Sequence, residues 1–313
     1  MSRKNSLQVV CFGEVLWDNF PAGKKPGGAV MNVAYHLKNL GVNSHLISRV
    51  GADQNGTELM QVMKDSGVAT AYVQLDQEHK TSTVEVTTDQ DNEVRYEIVK
   101  PVAWDYIAYE NPHIRLVAQA DALVYGSLSG RCETSRRTLE KLLALAHYKV
   151  MDVNLRAPDY EPDYIATLLC QTDLLKLNLE ELTIISDWFS QDCQTEIERI
   201  ELLRNKFSIP EIVVTKGSKG ASYYGDQAEH HWSAYAIQVQ DTVGSGDSFL
   251  AGLLAMKLSN EYINDTLDFA VGLSAFITTK AGACPPYKIA EVNKFIRTYK
   301  KEWSVDRWPN PAS

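Results

Sequence analysis

The chain is predicted to fold as an α/β protein on a mainly parallel sheet, with a small antiparallel β element attached. Three observations carry this expectation. Short apolar runs alternate with longer segments of helical periodicity along most of the 313 residues. The runs read as buried strands, and strands alternating with helices imply a parallel sheet covered on both faces. One region breaks the rhythm, with apolar and polar residues alternating on either side of a polar turn.

Taken in order, LQVVCFG reads as the first strand. GGAVMNVAYHLKNLG reads as a helix, with Val30, Val33, Ala34 and Leu37 on one stripe and Gly41 as its stop. SHLISRVG is a second strand, and NGTELMQVMKDSG a second helix. STVEVTTDQDNEVRYEIVK then reads as a hairpin about a turn at Asp89 to Asn92. Such a hairpin is either a lid over a site on the sheet or an antiparallel edge extension; the pattern leaves both open. ADALVYG, YKVMDVN, TDLLKLN and PEIVVTKG follow as buried strands. TSRRTLEKLLALAHY and EIERIELLRNKF are helices between them. With no internal repeat or linker, residues 1–313 are expected to form a single α/β domain.

Composition narrows the function. Hydrophobic content is 44%, enough for a sizeable core, and no low-complexity tract suggests disorder. The net charge of −9 argues against a nucleic-acid partner, yet leaves room for a small anion in a locally positive pocket. Cys11, Cys132, Cys170, Cys193 and Cys284 are scattered, odd in number and without a CxxC. That suits a reducing cytoplasm, each cysteine being read as a small buried apolar residue. The apolar stretch near the N-terminus soon meets Glu14 and Asp18, too early for a signal peptide or a membrane span.

Ligands of open α/β sheets bind beyond the carboxyl ends of the strands. The stretches there are GEVLWD (13–18), GSLSGR (126–131), DVNLR (152–156), KLNLEE (176–181), TKGSKG (215–220) and DTVGSGD (241–247). The last is the sharpest. Gly244 and Gly246 allow a tight turn that presents successive N–H groups, and the following helix adds the positive end of its dipole. Asp247 is placed to take a proton from a hydroxyl attacking the bound anion. A plain glycine-rich turn with Asp247 as helix cap fits an isolated GSGD equally well. A Walker A loop, GxGxxG, GxSxG and HExxH are all absent, and His230–His231 reads as a surface pair.

Together these motifs resemble the PfkB, or ribokinase-like, family of carbohydrate kinases, and GEVLWD, FPAGKKPGG, VAWD and DVNLR look most like its fructokinase branch. DTVGSGDSF is similar to the family's C-terminal signature, with Ser245 where alanine is usual. GGAVMNVAYHLKNLG followed by SRVGADQNG is similar to its N-terminal signature, NLEE to its NxxE element and TKGSKG to its nucleotide loop. The likeness runs from the first strand to Pro285–Pro286. It implies a ribokinase-like three-layer sandwich with a mainly parallel central sheet and a small β-hairpin lid, the lid coming from about residues 14–26 and 72–102. It implies Asp247 as general base, with the Gly244, Ser245, Gly246 and Asp247 amides as an anion hole. Asp18, Gly28 and Asn32 match positions that hold sugar hydroxyls. Asn178 and Glu181 match the element that organises Mg²⁺ and phosphate, Glu181 through water. Thr215 and Gly217, with Gly220 close by, match the ATP loop. Asp241, the Val243 carbonyl and Ala281 with Gly282 and Ala283 resemble a monovalent-cation loop, for which K⁺ is the candidate ion. A turn-forming role for Asp241 stands beside that reading.

The sugar is expected to be fructose, with 2-keto-3-deoxygluconate and then ribose as alternatives. Arg156 suits the oxygen-rich end of such a cleft, or else a surface ion pair. Arg95 could reach a sugar if the hairpin is a lid, and otherwise faces solvent. Trp17 and Trp104 fit either pocket or core. A non-catalytic sugar or nucleotide sensor on the same fold, and an unrelated dehydrogenase, are the competing classes. No nucleic acid or membrane is expected as a partner; a homodimer is, through the apolar face of the hairpin.

Overall fold

In the computed structural model, which describes residues 7–20, 23–88, 94–225 and 229–306, the apolar runs become the middle layer of a three-layer sandwich. Side chains of residues 86–96 and 300–306 lie outside this description. The strands are β1 (Gln8–Phe12), β2 (Leu16–Phe20), β3 (Gly23–Gly27), β4 (Asn43–Gly51), β5 (Val73–Asp76), β6 (Ser82–Thr88), β7 (Val94–Ile98), β8 (Ala122–Gly126), β9 (Lys149–Asp152), β10 (Leu174–Asn178), β11 (Glu211–Thr215), β12 (Ala221–Tyr224) and β13 (Glu229–Trp232). The helices are α1 (Ala29–Asn39), α2 (Gln54–Asp65), α3 (Asn111–Gln119), α4 (Glu133–Leu143), α5 (Pro162–Leu169), α6 (Leu179–Asp187), α7 (Glu196–Phe207), α8 (Ser245–Leu258), α9 (Ile263–Thr278) and α10 (Ile289–Asp306).

The main sheet has nine strands in the order β13-β12-β11-β10-β9-β8-β1-β4-β5. From β5 to β11 every neighbour pair is parallel, and β12 and β13 close one edge antiparallel. Successive side chains of a strand point to opposite faces, which explains why the runs are apolar throughout. Val9 and Cys11 join the core under α1, α2, α8 and α9, whereas Val10 and Phe12 join the core under α3 to α7. Leu174 and Leu175 divide in the same way. The predicted stripe Val30, Val33, Ala34 and Leu37 is buried on α1. Gly41, just beyond the helix, takes φ +84°, the left-handed backbone that ends a helix cheaply only with glycine.

The chain passes from β1 to β4 and β5 on one side, then returns to β8 and onward on the other. That reversal beside β1 is the point at which such sheets open a crevice.

The second sheet has four strands in the order β3-β2-β6-β7. Its β6–β7 hairpin pairs from Val84 with Ile98 to Thr88 with Val94. The expected turn at Asp89 to Asn92 lies outside the described residues, as does the side chain of Arg95. The expected lid boundary needs one correction. Val73–Asp76 pairs in parallel with Ser48–Gly51 and so extends the main sheet. Within residues 72–102 only β6 and β7 belong to the small sheet, where β6 pairs in parallel with β2.

Three smaller expectations resolve. Trp17 and Trp104 are both core residues, 4% and 0% exposed. His230 and His231 lie on edge strand β13, bonded to Asn264 Oδ1 and Ser222 Oγ. The five cysteines are free thiols, but only Cys11 is buried and Cys170 is exposed. A surface helix end tolerates a small side chain of any polarity, so the buried reading fails there. Among the described residues no helix is long and apolar enough to cross a membrane.

Candidate active site

The chain leaving β1, β9, β10 and β11 converges at the carboxyl end of the main sheet, on a cleft of about 990 Å³. Phe20, Val84 and Ile98 of the small sheet form its other wall. The N-terminus of α8 and the turn 281–284 close the end between them.

Asp247 sits at the centre. Gly244, at φ +75°, is the residue that caps α8, without a side-chain bond, so Asp247 is not the helix cap. A Cβ on Gly244 would stand 2.7 Å from the Ala283 Cα, a contact with backbone that cannot give way. The Ser248 amide is the first to reach back into the helix, to the Gly244 carbonyl at 2.9 Å. The amides of Gly246 and Asp247 precede it and find no carbonyl within the helix, as at any helix start. Asp247 turns instead to α1, where Asn32 Nδ2 donates to its Oδ2 at 2.8 Å. The Cys284 thiol donates in turn to Asn32 Oδ1 at 3.2 Å. Burial, then the nearby Asp152 carboxylate, push the Asp247 carboxyl up to about 6, against the opposing pull of Lys176, the Asn32 bond and Arg156. It is therefore ionised at neutral pH yet far more basic than an exposed aspartate.

On the lid side, Asp18 projects from β2 and is also raised, by burial, with Arg156 opposing. Gly28 precedes α1 at φ +119°, and a Cβ there would stand 2.4 Å from the Glu14 carbonyl oxygen. Glycine at 28 thus lets α1 start against the chain leaving β1. Glu14 itself is buried, with Oε1 accepting the Ala29 amide at 3.0 Å and Oε2 without a hydrogen-bond partner. Burial raises its carboxyl to about 7.

On the other side, NLEE forms a reciprocal helix cap. Asn178 Oδ1 accepts the Glu181 amide, and Glu181 Oε2 accepts the Asn178 amide, both at 2.9 Å. Glu181 Oε1 also accepts the Leu155 amide at 3.0 Å, which ties the turn after β9 to the start of α6. Burial and the Asp152 charge raise the Glu181 carboxyl. Asp241 bridges two turns, accepting the Val243 amide at 3.0 Å and the Gly282 amide at 2.9 Å. Those amides hold its carboxyl below the usual range.

The chain matches the model of the pfkB family of carbohydrate kinases over residues 5–290. It belongs to that family. It is therefore a sugar kinase, which moves a phosphoryl group from ATP to a carbohydrate hydroxyl. Among its relatives is the fructokinase of Salmonella typhimurium, 31% identical, the alignment covering 89% of this chain and 95% of that one. The crystal structure of an ATP-bound fructokinase from Xylella fastidiosa shares the fold at TM-score 0.83 and 22% identity, over 94% of this chain and 99% of that one. A double mutant of Vibrio cholerae fructokinase, in a fructose, ADP and potassium ion bound form, gives TM-score 0.79 at 26% identity, over 94% and 100% of the two chains.

Most residues predicted for the site of this pfkB kinase do meet at one cleft. Asp18, Gly28, Asn32, Arg156, Asn178, Glu181, Thr215 and Gly217 line it together with Asp241, Val243, Ala281 and the turn Gly244–Asp247. Gly220 is not among the lining residues. It takes φ +91° and lies against the Trp232 carbonyl, where a Cβ would approach to 1.9 Å, so it shapes the edge of the sheet. Of GSLSGR, Leu128 reaches the cleft, whereas Arg131 turns away to Asp105.

Sequence reasoning passed over Glu14, Asp152, Lys176 and Cys284. The first three stand in stretches already marked as following strands, GEVLWD, DVNLR and KLNLEE. A charged residue within or just after an apolar strand was the available signal. Cys284 gives none, because its thiol matters only through Asn32, far away in the chain.

Proposed function

We propose that the chain phosphorylates a ketohexose, fructose first, with Asp247 as general base. The observation that carries this is the position of Asp247, a buried carboxyl beside the open amides of α8 and bonded to Asn32, between the two halves of one cleft. Asp247 takes the proton of the attacking hydroxyl while the Gly244–Asp247 turn stabilises charge on the transferring group. Asp18, Gly28, Asn32 and Arg156 form the sugar side; Asn178, Glu181, Thr215 and Gly217 form the ATP side. The small sheet acts as the lid of a single α/β domain, a reading supported by Phe20, Val84 and Ile98 in the cleft wall.

Among the described residues no group of three or more His, Cys, Asp or Glu side chains is arranged to hold a metal ion. That fits Mg²⁺ bound mainly by water and ATP phosphates, with Glu181 at one remove, its carboxylate already held by two amides. Mg²⁺ there supplies neutralisation of phosphate charge. Asp241, the Val243 carbonyl and Ala281 suit a K⁺ ion that keeps the two turns together.

Fructose is favoured by the fructokinases among the relatives. The test is a coupled assay of ADP release with fructose, 2-keto-3-deoxygluconate and ribose, with and without K⁺. The largest kcat/KM is expected with fructose, and a decline when K⁺ is withheld. A kcat/KM tenfold higher for either of the other sugars would overturn the fructose assignment.

A further inference from the structure

Lys176 is the third of the five residues of β10, in register with Asp152 on β9. Its ammonium donates to both oxygens of the Asp152 carboxylate, at 2.8 and 2.9 Å. The lysine is 6% exposed and the aspartate 3%. A buried ion pair of this kind adds little net stability over an apolar pair of similar volume, so stability alone does not account for it.

Its position relative to the turn after residue 243 does. A Cβ added to Gly246 would lie 2.8 Å from Lys176 Nζ, so the ammonium sits directly against the turn that presents the free amides. Lys176 also lines the cleft, beside Gly246 and Asp247. An ammonium has three N–H donors, and two are engaged with Asp152. The third is available on the side of Gly246. Burial alone would lower the lysine pKa, but Asp152 and Asp247 outweigh it and keep the ammonium charged.

We propose that Lys176 is a further catalytic residue of the phosphoryl transfer, its ammonium donating to the transferring group beside the Gly246 amide, with Asp152 as the residue that positions it. The proposal rests on reading the Gly244–Asp247 turn as the phosphoryl site. In the step, the bond from the γ-phosphorus to the ADP oxygen breaks and a bond to the sugar oxygen forms. The hydroxyl proton goes to Asp247, and Lys176 keeps its own protons throughout. Positive charge held in a buried site at the developing oxyanion lowers the barrier without reorganisation.

The experiment uses the full chain and the sugar on which the parent is active, with Asp247→Asn run in parallel as a separate check on the site itself. Lys176→Met alone would strand the Asp152 carboxylate, so the main variant is the pair Lys176→Met with Asp152→Asn. With melting temperature and ADP binding close to the parent, its kcat is expected to fall by about 10²-fold or more, while KM for sugar and for ATP stays within about fivefold of the parent. A kcat within about threefold of the parent would overturn the proposal, as would a loss confined to KM. Asp152→Asn alone keeps the ammonium and serves if the pair does not fold. Because the Asp152 charge raises the Asp247 carboxyl, the acid limb of kcat/KM is expected to move to lower pH while kcat stays well above that of Asp247→Asn. An acid limb that moves upward, or a kcat no better than that of Asp247→Asn, would overturn it. If Asp247→Asn retains full turnover, the site reading fails instead, and the Lys176 results then lose their premise in a distinguishable way.

Discussion

At the scale of single residues, the cleft is set by carboxyls whose basicity burial has raised. Asp247 is pushed from its ordinary 3.8 to about 6, and Glu14 from 4.5 to about 7. The groups that face Asp247 include Asp152 from β9, Lys176 from β10, Asn32 from α1 and Arg156 from the turn after β9, with Glu14 from the turn after β1 and Cys284 from the turn 281–284. A base must be ionised to accept a proton, so kcat/KM is expected to fall about tenfold per pH unit below about 6. A pH–rate profile flat down to pH 5 would contradict Asp247 as base. The stability contribution has the opposite sign. Both carboxyls bind protons more tightly when folded, so their contribution is full below about 4 and is lost as pH rises through about 6 to 7. The glycines and Asp247 were legible in sequence because a turn before a helix has a local signature. Lys176 was not, because its meaning lies in Asp152 and Gly246, on other elements.

At the scale of elements, the attachment of the small sheet is the feature the sequence pattern hid. Arg131 is 3% exposed and lies over the Trp104 ring, its centre 4.0 Å from the ring centroid. It forks onto Asp105 at 2.7 and 3.0 Å and donates to the Ile98 and Val99 carbonyls, where β7 leaves the small sheet. Arg131→Ala strands the fully buried Asp105 carboxylate and is expected to cost about 3–5 kcal/mol in urea unfolding. A cost below about 1 kcal/mol would show that the small sheet is held by other contacts. The hairpin β6–β7 was visible in its alternating pattern, and so were the parallel strands. Strand β5 was not, since VQLD is short and its edge position leaves Leu75 58% exposed. Strands β12 and β13 were also missed; β13 reads EHHW, without an apolar run.

At the scale of the whole molecule, the site exists only because distant parts of the chain are tied together. The Tyr35 hydroxyl donates to the Pro285 carbonyl at 2.7 Å. His36 Nε2 meets the Ala283 carbonyl at 2.9 Å and so carries the proton, leaving Nδ1 to accept from the Tyr287 hydroxyl at 3.0 Å. Burial lowers that imidazole to about 4, so it stays neutral at physiological pH. Helix α1 thereby fixes the turn 281–284 against Gly244, and Asn32 on the same helix fixes Asp247. The ordered motifs pointed to one cleft, but these bonds across 250 positions left no trace in the local pattern. Asp247 as general base is tested most directly by turnover of Asp247→Asn beside its affinity for sugar and for ADP, measured by calorimetry. The expected result is a kcat lower by about 10²- to 10⁴-fold with both affinities within about fivefold of the parent. A folded variant that turns over within tenfold of the parent would contradict it.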